Sequence, residues 1–154
     1  MGVRIGRWSK ASTLLLGMAM LAACGPQNQD PLISEALRPL PEDLRADATV
    51  YRYNVASGER EILREGSNHV ECIPRSDDGF TWCYPTSTAT RRDLRARLVA
   101  EGLSSEEVTD RITAAEAEGS VSPSAVGSMM YRTYDEGDRI QFLWVVVLPD
   151  QIAT

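Results

Sequence analysis

The sequence predicts an α+β fold, in which a mostly antiparallel sheet of about six strands carries a helical hairpin. Three observations lead to this prediction. Residues 49–84 contain short segments in which apolar and polar side chains alternate between turn sequences, as in strands. Residues 90–119 change to a helical period, and residues 128–148 return to the alternation that is typical of strands.

Four strands are predicted before the helical segment, because β-branched and aromatic residues are concentrated there between turns. In the third strand Val70 and Cys72 share one face, and in the fourth Phe80, Trp82 and Tyr84 share one face. The four strands are predicted at residues 49–55, 59–64, 69–73 and 80–84.

Two helices are predicted next. Thr90 with Asp93 resembles a capping box at the start of the first helix, and Gly102 ends that helix. Ser104 with Glu107 resembles a second capping box. The loop between the helices is short, so they should pack antiparallel as a hairpin.

The first of these helices carries three arginines on one side. We expect them to pair with acidic residues of the second helix, and contact with phosphates of lipid or lipopolysaccharide is the alternative. The arginines are Arg91, Arg92 and Arg95, and the acids are Glu106, Glu107 and Asp110.

The last predicted strand, residues 139–148, is apolar on both faces. A turn at residues 135–138 joins it to a strand at residues 128–134. A strand that is apolar on both faces is typical of the middle of a sheet that is covered on both sides. We therefore expect this strand to be central, with the helical hairpin as one of its covers.

The N-terminus has the layout of an export signal. Three basic residues precede an apolar run over residues 11–21. At about 1.5 Å per residue, that run spans roughly half of a ~30 Å hydrocarbon core, which is too short for a stable membrane span. It ends in Leu-Ala-Ala-Cys at residues 21–24.

These four residues resemble the lipobox of bacterial lipoproteins. The resemblance implies cleavage before Cys24, a diacylglyceryl thioether on its sulfur, and further acylation, for example by palmitate. It divides the chain into a signal peptide (residues 1–23), a tether (24–31) and a single domain (32–154). An ordinary signal peptide with a coincident cysteine, or a short membrane anchor, are the alternatives.

The lipobox also implies a location in the cell envelope. Gly25 follows the acylated cysteine, and in two-membrane bacteria a residue other than Asp at this position implies sorting to the outer membrane, facing the periplasm. In a one-membrane bacterium the same signal places the protein outside the cytoplasmic membrane. The expected partner is thus the membrane, through lipid on Cys24, with another envelope protein as a further partner.

The charge and composition exclude several kinds of function. Three of the 16 basic residues and none of the 22 acidic ones precede Cys24, so the processed chain is strongly acidic, which argues against nucleic acid as a partner. The chain has one histidine, His69, and no nucleophile-elbow, HExxH or P-loop motif. We predict no catalytic residue, no metal site and no cofactor.

Two cysteines remain after Cys24 is acylated. Cys72 and Cys83 form an even pair in an oxidising compartment, and they lie on two strands that flank a turn. A disulfide is the simplest interpretation. Zinc, the alternative, needs more histidine or cysteine ligands.

A second and shorter resemblance involves the same region. Residues 63–68 (LREGSN), residues 72–74 (Cys-Ile-Pro) and Cys83 are similar to a pattern in small exported bacterial proteins of unassigned function. That resemblance implies the cysteine pair and says nothing about activity.

The loop of residues 73–82 is the predicted binding surface. A disulfide would fix its ends and reduce the ordering cost of binding. The loop carries Arg75, Asp77 and Asp78 for polar recognition, and Trp82 is a candidate anchor. The alternative is a plain hairpin whose aromatic side chains face the core.

We expect a small non-enzymatic envelope lipoprotein that acts as a binding or accessory module. An inhibitor of envelope-attacking hydrolases is the alternative, with the stapled loop as its wedge. A cell-wall hydrolase that relies on carboxylates alone is a third possibility.

Overall fold

The computed structural model describes Gly2, residues 30–134 and residues 142–148. They form a mixed, mostly antiparallel six-stranded sheet with helices packed against it, which confirms the α+β class. The helices are α1 (Pro31–Ala36), α2 (Glu42–Arg45), α3 (Ala89–Ala100) and α4 (Ser105–Ala117), with a 3-10 turn at Thr86–Thr88. The strands are β1 (Thr49–Tyr53), β2 (Arg60–Arg64), β3 (Val70–Ile73), β4 (Phe80–Pro85), β5 (Met129–Tyr134) and β6 (Phe142–Val146).

The strands lie in the order β2-β1-β3-β4-β5-β6. Four of the five neighbouring pairs are antiparallel, and β1 and β3 run parallel. The chain therefore crosses from β2 over the end of β1 before β3 begins. The alternation of side chains along each strand contains no information about this crossing.

Gly66 makes the crossing possible. A Cβ atom at Gly66 would lie 2.4 Å from the carbonyl oxygen of Asp47, so no larger residue fits between the two backbone segments. The same carbonyl accepts hydrogen bonds from the backbone N–H groups of Ser67 (2.8 Å) and Asn68 (3.0 Å). The Asn68 side chain also donates to the Leu44 carbonyl at 2.8 Å, which fixes the crossing against α2.

The main hydrophobic core lies on one side of the sheet, which we call the disulfide face. Cys72 and Cys83 are directly opposite one another on β3 and β4, and both are fully buried. The two N-terminal helices and the segment between them cover this face over β1, β3 and β4. The buried cluster contains Ala36, Leu37, Leu40, Ala48, Val50, Val70, Cys72, Cys83 and Tyr131.

The opposite side, which we call the α3 face, is covered over β1, β2 and β3 by α3. The backbone of α3 rests directly on the turn between β1 and β2, because a Cβ at Gly58 would lie 2.5 Å from the Ala96 carbonyl carbon. Helix α4 packs on α3 through a separate apolar cluster. That cluster contains Leu94, Leu98, Leu103, Val108 and Ile112.

One of the two predicted capping boxes is confirmed. Ser104 Oγ accepts a hydrogen bond from the Glu107 backbone N–H at 3.3 Å, and the Glu107 carboxylate accepts one from the Ser104 N–H at 2.8 Å. The box at Thr90 and Asp93 is wrong. Helix α3 begins at Ala89, so Asp93 lies inside the helix, where its side chain is bound by residues of the sheet.

The predicted central position of the last strand is also wrong. Strand β6 is at the edge of the sheet and pairs only with β5 among the described strands. Its side chains on the disulfide face are exposed, with Phe142 at 52 % and Trp144 at 59 %. The N-terminal helices end before they reach it. An apolar pattern on both faces of a strand therefore does not require both faces to be covered, because one face of β6 is exposed.

Two sequence predictions fall outside the described residues. They are the export signal with its lipobox at residues 21–24, and the turn at residues 135–138. Helix α1 begins at Pro31, the last residue of the predicted tether. Asp30 caps it by accepting a hydrogen bond from the Leu32 N–H at 2.9 Å.

Candidate functional site

The loop between β3 and β4 presents its charged residues to solvent. Arg75, Asp77 and Asp78 are all exposed. Asp78 is also part of the turn itself, because its carboxylate accepts hydrogen bonds from the Phe80 N–H at 3.1 Å and from Ser76 Oγ at 2.5 Å. The backbone N–H of Ser76 closes the turn on the Phe80 carbonyl at 3.0 Å. The loop is thus a compact turn held by its own hydrogen bonds.

The predicted disulfide is present one residue pair below this loop. Cys72 is bonded to Cys83, with 4.0 Å between their Cα atoms and eleven residues of sequence separation. The Ile73–Trp82 pair, directly above it, forms the base of the loop. The disulfide is buried against α1, where Cys83 Sγ lies 3.4 Å from the Ala36 carbonyl oxygen. It links the base of the loop to the main core.

Trp82 and its neighbours do not face that core. Because side chains alternate along a strand, Phe80, Trp82 and Tyr84 lie on the α3 face, opposite the disulfide. Together with Tyr134 of β5 they form a row of half-buried rings, which we call the aromatic strip. The rings of Trp82 and Tyr84 are nearly parallel, and their centroids are 5.5 Å apart. The ring centroids of Phe80 and Tyr134 are 4.6 Å apart.

Two arginines lie over the aromatic strip. The Arg132 guanidinium is 5.0 Å from the centroid of Phe80 and 5.1 Å from that of Trp82. The Arg92 guanidinium is 4.6 Å from the centroid of Tyr84. Cations held over ring faces are stabilised by the ring quadrupole. Arg132 is half-buried and gives this surface a charged group beside the apolar rings, whereas Arg92 is buried.

Beneath α3 lies a group of ion pairs that the sequence did not indicate, which we call the arginine network. The Glu71 carboxylate accepts from Arg60 Nη1 at 2.8 Å and from Arg92 Nη2 at 2.5 Å. Arg60 also binds Asp93 at 2.7 Å. Arg92 donates to the Tyr51 hydroxyl as well. Glu71 and Arg92 are both 8 % exposed, so the charges are neutralised within the interior.

The tyrosines around this network are held in their neutral form. Burial raises the pKa of Tyr84 to about 12 and raises the pKa of Tyr51 and Tyr53 as well. The Tyr53 hydroxyl donates a hydrogen bond to the Asp93 carboxylate at 2.8 Å, which requires the phenol to keep its proton. The hydroxyl groups of Tyr51 and Tyr53 therefore complete the hydrogen bonding of the network.

A pocket of about 330 Å³ adjoins the network and the aromatic strip. It lies between α3 and the strand ends next to it, and Tyr84 and Arg92 belong to its wall. Its lining is predominantly apolar. The wall includes Tyr53, Ile73, Tyr84, Arg92, Ala96 and Val99.

The two acids of the network are bound by arginines. Arg60 and Arg92 each bind one oxygen of Glu71, and Arg60 binds Oδ1 of Asp93. Within residues 30–134 and 142–148, no three histidine, cysteine or acidic side chains are close enough to hold a metal ion. His69 is exposed just before β3.

The predicted pairing of the α3 arginines with acids of α4 holds for one arginine, and its partner is not one of the three predicted acids. Arg91 does bind an acid of α4, but this is Glu116, at 2.5 Å. Arg92 points into the interior and binds Glu71. Arg95 is exposed at the rim of the pocket.

No protein-family model, curated protein or solved structure matches this chain. No helix in the described part of the chain is both long enough and apolar enough to cross a membrane.

Proposed function

We propose that this chain is a small envelope lipoprotein, anchored by lipid on Cys24, whose domain is a non-enzymatic binding or accessory module. The order of basic residues, apolar run and Leu-Ala-Ala-Cys in residues 1–24 supports the anchor. The Cys72–Cys83 disulfide is consistent with an oxidising compartment such as the periplasm. Gly25 after the cysteine favours the outer membrane.

The observation that carries the binding role is the aromatic strip with Arg132 over it. Aromatic and arginine side chains dominate the energetics of protein interfaces. Phe80, Trp82 and Tyr134 are half-buried on paired strands, so little conformational freedom is lost when a partner binds. The exposed turn with Arg75 and Asp77 adjoins the strip and adds polar groups. We propose another envelope protein as the partner.

The anchor is tested by metabolic labelling with a fatty-acid analogue. Changing Cys24→Ala should abolish labelling and leave the longer precursor. The matched control is the double variant Cys72→Ala, Cys83→Ala, which should be labelled and processed normally, because the other two cysteines do not follow a signal sequence. Normal maturation of the Cys24→Ala protein would refute the anchor.

The binding surface is tested by capture of envelope proteins with lipidated variants. Trp82→Ala with Arg132→Gln should lose the partners, and Arg75→Glu with Asp77→Lys should weaken them. Asp78 is left in place because it holds the turn. Arg111→Gln, on the exposed side of α4, is the control and should retain them. Equal capture by all three proteins, each shown to be folded, would rule out this surface.

An inhibitor of envelope-attacking hydrolases is the second candidate, and the turn of residues 74–79 is the observation that favours it. Four consecutive exposed residues, 75–78, project on a turn that is closed by its own hydrogen bonds above a disulfide. Rigid exposed loops suit the clefts of hydrolases. Inhibition of cell-wall digestion that disappears in the Arg75→Glu, Asp77→Lys protein would favour this candidate over the accessory module.

A further inference from the structure

The edge of the sheet carries an exposed apolar surface that lies outside both the core and the aromatic strip. Strands β5 and β6 place Met129, Phe142, Trp144 and Val146 side by side on the disulfide face, and their exposed fractions run from 37 to 59 %. We call these four residues the apolar edge. Contiguous exposed apolar side chains of this kind mark sites of contact with a protein or a membrane.

The apolar edge lies next to the N-terminal helices. A groove of about 470 Å³ is lined by Phe142 and Trp144 on one side and by residues that follow α1 on the other. Those residues are Arg38, Pro39, Leu40, Pro41 and Arg45. Helix α1 and the apolar edge are thus parts of one side of the molecule.

The distance along the chain from Cys24 limits where the membrane can be. Six residues, 25–30, separate Cys24 from the first residue of α1. The seven Cα–Cα steps from Cys24 to Pro31 can span no more than about 25 Å, at ~3.6 Å per step. Helix α1, which is six residues long, adds about 7.5 Å between its first and last residues, at roughly 1.5 Å per residue. A lipid on Cys24 therefore keeps the end of α1 within about 33 Å of the anchor, so the apolar edge beside it can reach the bilayer surface.

We propose that the apolar edge rests on the bilayer to which Cys24 is anchored, so that the domain has a fixed orientation with its aromatic strip directed away from the lipid. This inference rests on the proposed lipid anchor. The anchor makes contact of the edge with the bilayer an intramolecular event, so a weak apolar contact is sufficient.

The chemistry of the edge fits an uncharged lipid interface. Tryptophan and phenylalanine are favoured at the boundary between headgroups and acyl chains. The rim carries both signs of charge, because Arg45 stands beside the exposed acids Glu42 and Asp43 of α2. The contact is therefore mainly apolar, and salt should affect it little.

The tryptophans of the protein supply the probe. Trp8 precedes Cys24, so the processed protein keeps only Trp82 on the α3 face and Trp144 on the apolar edge. The lipidated protein is reconstituted in phosphatidylcholine vesicles with brominated acyl chains, which quench tryptophan at the depth of the bromine. In the Trp82→Phe protein, the emission of Trp144 should be strongly quenched. In the Trp144→Phe protein, the emission of Trp82 should be unchanged.

A second variant guards against misfolding of the first, because Trp82 is stacked on Tyr84. Phe142→Ser with Val146→Ser changes two exposed side chains, keeps both tryptophans and should reduce the lipid quenching of the protein. Raising the salt concentration should leave the quenching of the unaltered protein in place.

The outcomes separate this inference from the proposed function. Protein that floats with the vesicles but shows no quenching of Trp144 overturns the orientation and leaves the lipoprotein standing. Protein that carries no lipid and does not float overturns both. Shielding of Trp144 that occurs without vesicles and grows with protein concentration would mean that a second copy covers the edge, and the inference would be wrong.

Discussion

Glu71 holds two guanidinium groups together beneath α3. It lies between Val70 and Cys72, and strand alternation turns its side chain away from the apolar core and toward Arg60 and Arg92. Without the carboxylate, the two arginines would be left close together with little solvent. Arg60 would keep Asp93, but Arg92 would keep only neutral partners, Tyr51 and Thr88.

Glu71→Gln should therefore destabilise the domain by about 3 kcal/mol, the cost of leaving a buried charge without its partner. Denaturant unfolding of the soluble domain measures it. The control is Glu61→Gln, which breaks the exposed pair with Arg52 and should leave the unfolding midpoint unchanged, because solvent screens that pair. Equal effects of the two substitutions would contradict the structural role of the network.

Gly58 is required by the close contact between α3 and the turn before β2. Its φ is +68°, and a Cβ there would meet the backbone of Ala96 and Arg97. Gly58→Ala should cost more than about 2 kcal/mol, because a left-handed conformation is combined with a displacement of the helix.

Gly102 provides the matched control for this substitution. Its φ is +85°, and a Cβ at Gly102 would have no neighbour within 4 Å. Gly102→Ala should therefore cost only the conformational part, about 1 kcal/mol. The difference between the two free energies of unfolding isolates the contact with α3. Equal costs would show that the helix does not rest on Gly58.

The disulfide joins two elements, β3 and β4, at a position where both cysteines are fully buried in the main core. Intact mass should rise by two hydrogen atoms on reduction of the soluble domain, with no free thiol before it.

Cys72→Ala with Cys83→Ala should lower the free energy of unfolding by about 3 kcal/mol, as expected for a loop of this size. The sequence separation of the pair is eleven.

The stability of the soluble domain with both cysteines reduced and alkylated is a less useful measure, because alkyl groups would overpack a fully buried site. The alanine pair avoids this. A double variant as stable as the parent would mean that the strands are already fixed by β1 and β5, and that the disulfide adds nothing.

The last strand shows how an element can be predicted correctly and placed wrongly. Its alternation is real, since Leu143 and Val145 are half-buried while Phe142 and Trp144 are exposed on the other face. The prediction assumed that an apolar face must be covered by the same chain. Helices α1 and α2 are short and cover only part of the disulfide face. How far they extend over the sheet depends on how they pack, and the pattern of the last strand contains no information about that.

For the molecule as a whole, four tyrosines whose pKa is raised by burial make stability depend on alkaline pH. They are Tyr51, Tyr53, Tyr84 and Tyr131. The pKa of Tyr84 rises from 10.0 to about 12, and the pKa values of Tyr51 and Tyr53 are also raised. The unfolded chain releases these protons near pH 10 while the folded protein keeps them. The stabilisation is complete below about pH 10 and is lost as pH rises toward the folded pKa values, with a slope of about 1.4 kcal/mol per pH unit for each tyrosine.

Urea unfolding of the domain across about pH 9 to pH 11 measures this loss. Tyr84→Phe removes one of the four groups, so the stability of this variant should fall less steeply over the same interval. Parallel pH profiles for the two proteins would show that Tyr84 ionises in the folded state as readily as in the unfolded chain.

The sequence alone was enough to predict the α+β class, the positions of the strands, the Ser104 cap and the cysteine pair. All of these depend on residues within about a dozen positions of one another, and side-chain period and turn chemistry act over that range. It also divided the faces of β3 and β4 correctly, with Val70 and Cys72 on one side and Glu71 on the other. The loop was located, though the role of Asp78 within the turn was not.

The sequence alone did not predict the strand order, the parallel pairing of β1 with β3, the edge position of β6 or the arginine network, because these depend on contacts between residues far apart in the chain. Glu71 and Arg92 are 21 residues apart, and Arg60 and Asp93 are 33 apart. Each has the pattern of an ordinary polar surface residue in the sequence. They meet because α3 packs across the sheet against Gly58. The position of α3 depends on the packing of the whole domain, about which local periodicity contains no information.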